Sequence, residues 1–185
     1  MSNHELTKRE KMVLSGKKHE RYVALEIANL IPCRFILNYT VFSRELNRGT
    51  EIDIVVVTHS KIYCVECKNY NGYIAGNKFD EYWTFASSGK RGRTQNPYLL
   101  NRKHIRLLRG CFYNKGLKPL TVENVIVVPD RCKIHVENCN VMNVSSLLSL
   151  LTLEYRTSPK VYAIDNVYNF IQRFNYARTK WFFFI

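Results

Sequence analysis

The chain has 185 residues, 46% of them hydrophobic and 23% charged, enough apolar material for the core of one ordinary domain and too much for a disordered chain. Lysines and arginines number 28 against 15 aspartates and glutamates, and the formal charge of +13 at pH 7 attracts polyanions, nucleic acid foremost. No apolar run approaches the ~18 residues of a transmembrane helix, and Met1 to Lys18 lacks the apolar stretch of a secretion signal. No membrane partner is therefore expected, and Cys33, Cys64, Cys67, Cys111, Cys132 and Cys139 read as free thiols of a reducing, cytoplasmic compartment.

Lys8 to about Leu30 reads as a helix with an interruption near Gly16; Glu20, Val23, Ile27 and Leu30 share one face, so Glu20 is a carboxylate on the core side. Two β-branched runs follow, Glu51 to Thr58 and Lys61 to Lys68, joined by His59-Ser60, which predicts a β-hairpin apolar on both faces. Further strands are expected after the turn Asn71-Gly72 and around Tyr82 to Phe85, then a basic loop from Ser87 to Asn96. Asn96-Pro97 marks a helix start, with Asn as cap and Pro in the first turn, and that helix runs to about Cys111. Val122 to Val128 is a buried strand ended by Pro129, and Val141 to Val144 a short one. Ser145-Ser146 caps a helix through Leu151, and a last helix carries Val167, Phe170, Ile171 and Phe174 on one face with Asp165 as its cap. The order predicts an α/β fold with a mixed sheet. We divide it into a domain over 1–155 and a helical extension over 156–185 packed on it, where Phe182 to Phe184 meet the domain or a partner subunit in a homo-oligomer or with another protein.

Asp53, Glu66 and Lys68 carry the chemistry. With His59-Ser60 at the turn, Asp53 faces Glu66, their Cβ atoms ~5 Å apart on one face, and Lys68 projects to the same side. Two adjacent carboxylates and one lysine leave a negative charge over, which a divalent cation neutralises; Mg²⁺ binds through one or two carboxylates plus phosphates. Such a cluster is also what a solvated strand end looks like, but the apolar context and the third carboxylate, Glu20, favour a metal-dependent phosphodiesterase centre. Cys64-x-x-Cys67 lacks a second ligand pair at zinc spacing, and its two positions face opposite sides of a strand, so both read as buried hydrophobes.

From Tyr82 to Val122 there is no acidic residue, while Lys90, Arg91, Arg93, Arg102, Lys103, Arg106, Arg109, Lys115 and Lys118 supply nine positive charges. Arg102, Arg106 and Arg109 recur at helical spacing, a stripe suited to a phosphate backbone. His104 beside it either contacts phosphate or is satisfied by a nearby backbone group.

Gly16-x-x-x-Glu20, Glu51-Ile-Asp53, Val65-Glu66-Cys67-Lys68-Asn69-Tyr70-Asn71-Gly72, Trp83, Asn96-Pro97 and His104 together resemble the nuclease-related domain (NERD) family of the PD-(D/E)xK nuclease superfamily, over roughly Lys11 to Leu151. The resemblance implies a restriction-endonuclease-like core, a mixed central β-sheet flanked by helices, and Mg²⁺- or Mn²⁺-dependent cleavage of DNA. It implies Glu20, Asp53, Glu66 and Lys68 as catalytic residues, with Asp53, Glu66 and a backbone carbonyl near Val65 holding the metal. Lys90, Arg91, Arg93, Arg102, Lys103, His104, Arg106 and Arg109 are then the expected nucleic-acid contacts. The family often carries Gln between the Asn-Pro and the His, where this chain has Leu100. Two alternatives are a non-catalytic nucleic-acid-binding module of the same fold and a nuclease acting on RNA.

Overall fold

The computed structural model describes residues 7–43, 47–113 and 120–175. In chain order the elements are α1 (Lys8–Leu30), β1 (Arg34–Ser43), β2 (Arg48–Val57), β3 (Ile62–Cys67), β4 (Tyr73–Asn77), β5 (Tyr82–Ser87), β6 (Lys90–Gln95), α2 (Pro97–Tyr113), β7 (Val122–Val128), β8 (Lys133–Glu137), β9 (Val141–Asn143), α3 (Val144–Thr157) and α4 (Ile164–Gln172). None of the described helices is long and apolar enough to cross a membrane.

Helix α1 opens on a reciprocal cap in which Thr7 Oγ1 accepts from the Glu10 N–H at 3.3 Å and the Glu10 carboxylate accepts from the Thr7 N–H at 2.7 Å. The helix runs unbroken through Gly16, against the expected interruption. Val23, Ala24 and Ile27 are buried, and Ile31 completes their face; that face turns Leu30 to its margin, where it is 41% exposed.

The strands form two mixed sheets rather than one. The first has the order β1-β2-β3-β7-β9, antiparallel from β1 to β3 and parallel from β3 to β9. All six residues of β3 are buried, as its apolar faces require. One face packs on α1 and α3 through Val23, Ile27, Ile54, Val65 and Leu147; the other packs on α2 and α4 through Val55, Cys64, Leu108 and Ile171. Because β7 takes the free edge of β3, the strands after Asn71-Gly72 build a second sheet, β6-β5-β4-β8, with β4 and β8 parallel. The segment expected to be a basic loop is its strand β6, hairpinned onto β5 through Ser88 and Gly89, both at positive φ (51° and 74°).

Asn96 caps α2 as expected, its Oδ1 accepting from the N–H groups of Tyr98 (2.9 Å) and Leu99 (3.3 Å). Helix α3 continues past Leu151 to Thr157, and no serine caps it: Asn143 holds the cap position and the Asp130 carboxylate accepts from the Ser145 N–H at 2.9 Å. In α4 the cap position is Ala163, while Asp165 lies in the first turn and pairs with Arg34 at 2.8 Å. Ile171 is buried there, and its carbonyl accepts from Tyr39 OH at 3.1 Å. Phe182 to Phe184, Lys115 and Lys118 lie outside the described residues.

Candidate functional site

A break in the first sheet positions Asp53. The β1–β2 ladder pairs Leu37 with Ile54 and Tyr39 with Ile52 but omits Asn38 and Asp53 between them. Asn38 is at φ 52°, in the left-handed region that asparagine tolerates better than most side chains. Across this step the alternation reverses in both strands: Ile36 and Tyr39, three apart, face the α2 core together, as do Val55 and Ile52. The β2–β3 ladder has the register set by the His59-Ser60 turn and ends at Ile54–Val65, one step short of Asp53 and Glu66. There the Asp53 carboxylate, released from the ladder, accepts from the Cys67 N–H at 2.8 Å.

Glu66 is 7% exposed, and its carboxylate sits 2.6 Å from Lys68 Nζ. Burial and then the Glu66 charge push the Asp53 carboxyl up to about 7, against the opposing pull of the Cys67 N–H and Lys68. Burial disfavours the Lys68 ammonium, but Glu66 and Asp53 outweigh it and hold Lys68 above its ordinary value. The backbone of Lys68 is fixed by its N–H to the Val127 carbonyl at 2.8 Å. Val65 is fully buried and paired on both edges, with Ile54 and Val125.

Glu20 reaches the same region from α1 but is held by Lys17 at 3.1 Å. Lys17 Nζ also lies 2.7 Å from Glu51 and donates to Asn38 Oδ1 at 2.9 Å, tying α1 to the broken step of the sheet. Sequence reasoning missed Lys17, although it lies one helical turn before Glu20. Beyond burial, the Glu66 and Glu20 charges both bear on Asp53 and raise its carboxyl. Cys64 and Cys67 are buried free thiols, pushed up by burial (Cys64 to about 12), as suits packing rather than ligation.

Glu20, Asp53 and Lys68 open onto a cleft of about 700 Å³ between α1, the ends of β2 and β3, and the second sheet. Asn69 braces one wall, its Nδ2 donating to the Ser15 carbonyl (3.1 Å) and hydroxyl (2.9 Å). The expected nucleic-acid contacts divide. Arg93 lines this cleft, joined by Arg131, which lies outside the acid-free stretch and was missed. Arg102, Lys103, Arg106 and Arg109 line a separate groove of about 600 Å³ on α2, where Arg109 also donates to the Val122 carbonyl at 3.0 Å. Lys90 and Arg91 are exposed on β6. His104 belongs to neither surface: it is half-buried, 3.0 Å from the Thr50 hydroxyl, and burial holds it below its ordinary value while Glu66 pulls the other way.

A mixed α/β domain of this topology, with Asp53, Glu66 and Lys68 gathered where two central strands part, is consistent with a restriction-endonuclease-like core. The profile of the nuclease-related domain family (NERD) matches residues 15–129, more than half of the chain, and the chain belongs to that family. It is also 34% identical over 95 residues to an uncharacterized protein of Bacillus anthracis, a match covering 50% of this chain and 44% of that protein. The chain thus spans less than half the length of that curated relative. No solved structure matches it.

Proposed function

We propose that this domain is a metal-dependent endonuclease that hydrolyses DNA phosphodiester bonds in the cleft beside Asp53. The observation that carries this reading is the gathering of Asp53, Glu66 and Lys68 at a break in the sheet, with Glu66 2.6 Å from Lys68 Nζ and its charge helping burial to push the half-buried Asp53 carboxyl up. The donor set fits Mg²⁺ or Mn²⁺: two hard oxygen groups suffice for a cation that otherwise keeps water and phosphate oxygens. Asp53 and Glu66 would hold the ion; Val65, fully buried within the sheet, does not reach the cleft. Bound there, the ion would lower the pKa of its water and stabilise charge on the scissile phosphate.

Lys68 keeps its proton at neutral pH because Glu66 and Asp53 favour the ammonium, so it can orient the attacking water or neutralise a phosphate oxygen. Glu20, held by Lys17, acts on the site through its charge or through water. Arg93 and Arg131 contact phosphates entering the cleft, and the α2 groove holds the duplex backbone further along. One observation favours the second reading, a binding module without catalysis: Glu20 and Glu66 each already have a lysine partner.

Incubation of the purified protein with supercoiled, linear and single-stranded DNA, in Mg²⁺ or Mn²⁺ and in EDTA, separates the two. Nicking of the supercoiled form that requires metal supports the nuclease; binding without cleavage under every condition supports the module.

A further inference from the structure

Two aromatic rings on the cleft wall have no part in the chemistry above. Tyr70 follows Lys68 by two residues, and its ring stacks on Phe85 of β5 with centroids 4.5 Å apart and planes at 13°. Both rings line the cleft that holds Asp53 and Lys68, and both are half-buried rather than enclosed. Phe85 is backed by its cross-strand neighbour Gly92, where an added Cβ would come within 2.9 Å of the ring. The pair is therefore a fixed platform, pre-set before any ligand arrives. One cation, Lys68, lies two residues before Tyr70 on the same cleft, while Met12 and Val13 of α1 are 68% and 58% exposed on the cleft wall.

We propose that Tyr70 and Phe85 form a base-stacking platform, so that the strand handled in this cleft carries unpaired nucleobases, either single-stranded or extruded from a duplex. The proposal rests on the nuclease-related reading and specifies its substrate. A groove that tracks phosphates with cations and stacks bases on aromatic rings is the usual means of holding a single strand. Bases inside a duplex are already stacked and cannot reach a wall ring unless flipped out. The size agrees: about 700 Å³ is in the range of small-ligand pockets, roughly 300–1,000 Å³, room for an unstacked nucleotide beside the rings.

The test is a binding titration in EDTA, where no cleavage competes, using a labelled single strand, the same strand with abasic sites throughout, and the blunt duplex. The wild type should prefer the intact strand over the abasic one by about 5- to 150-fold, the worth of one base on an aromatic ring. Tyr70→Leu should erase that preference while keeping the salt dependence, and Tyr70→Trp should retain it. A ribose strand of the same sequence distinguishes the two backbones that carry such bases, and a base-dependent increment in either supports the platform. Equal binding of intact and abasic strands by the wild type overturns it and requires no variant to fold. That result leaves metal-dependent cleavage standing, whereas base-dependent binding with no cleavage in Mg²⁺ supports the platform and removes the nuclease reading.

Discussion

Asp53 accepts a hydrogen bond from the backbone N–H of Cys67 at 2.8 Å, across the point where their strands stop pairing. A side chain has taken over the role of a ladder carbonyl, and a carboxyl group is thereby fixed beside Glu66.

Asparagine at position 53 keeps an oxygen for that N–H but removes the charge. Asp53→Asn should abolish metal-dependent cleavage and leave the metal-free protein at least as stable, with a melting temperature at pH 8 unchanged or higher by about 2–4 °C, the equivalent of roughly 1 kcal/mol for a chain of this size. Mg²⁺ should raise the melting temperature of the wild type and do much less for the variant. Equal metal responses would remove Asp53 as a ligand.

The same carboxyl predicts a pH dependence. Its folded value, raised to about 7 from an ordinary 3.8, means that the folded protein holds this proton more tightly than the unfolded chain. The resulting stability is fully present below about pH 4 and is lost as pH rises through 7. In EDTA the melting temperature of the wild type should therefore fall, relative to Asp53→Asn, between pH 5 and pH 8. Metal binding requires the ionised form, so cleavage should decline below pH 7 and recover with added Mg²⁺. A wild-type-minus-variant difference that is flat with pH would show that Asp53 titrates as an ordinary carboxylate.

Lys17 balances the cluster from α1. Lys17→Ala removes a cation shared by Glu20, Glu51 and Asn38, so the metal-free protein should melt lower. The cluster left behind is more negative, and half-saturation by Mg²⁺ in thermal titrations should move to concentrations lower by about threefold or more. Weaker metal binding in this variant would mean that Lys17 supports the ligands rather than competing for their charge.

The two basic surfaces should separate in their effects. Arg93→Glu, in the cleft, should impair both binding and cleavage. Reversing Arg102 and Arg106 together should weaken binding to all sequences alike and reduce the salt slope by about 1–2, with cleavage at saturating protein preserved. A double reversal that leaves the salt slope unchanged would place the backbone elsewhere.

How much of this was legible in the sequence follows from how local each signal is. The hairpin register came from two β-branched runs and a two-residue turn, and the α2 start from Asn96-Pro97, because both patterns are complete within a few residues. Strand β1 escaped because the reversal at Asn38 interrupts its period of two. Strand β8 alternates exposed Lys133, His135 and Glu137 with half-buried Ile134 and Val136, a pattern that was readable and was passed over. The second sheet could not be read locally, since β3's free edge is taken by β7 from far along the chain. Lys17 was readable from its i,i+3 spacing to Glu20, whereas Arg131 reaches the cleft only through the packing of separate elements, which no spacing in the sequence records.

That parallel pairing sets an order of assembly during synthesis. Asp53, Glu66 and Lys68 leave the ribosome together, yet Lys68 receives its backbone anchor only when Val127 arrives, and β4 gains its parallel neighbour only with Lys133 to Glu137. The stretch from Val122 to Glu137 thus joins both sheets late, after the strands it pairs with have been waiting with open edges. Such non-local pairing is slow to form. The nascent chain carries Asp53 and Glu66 for the whole interval without the scaffold that fixes them beside Lys68.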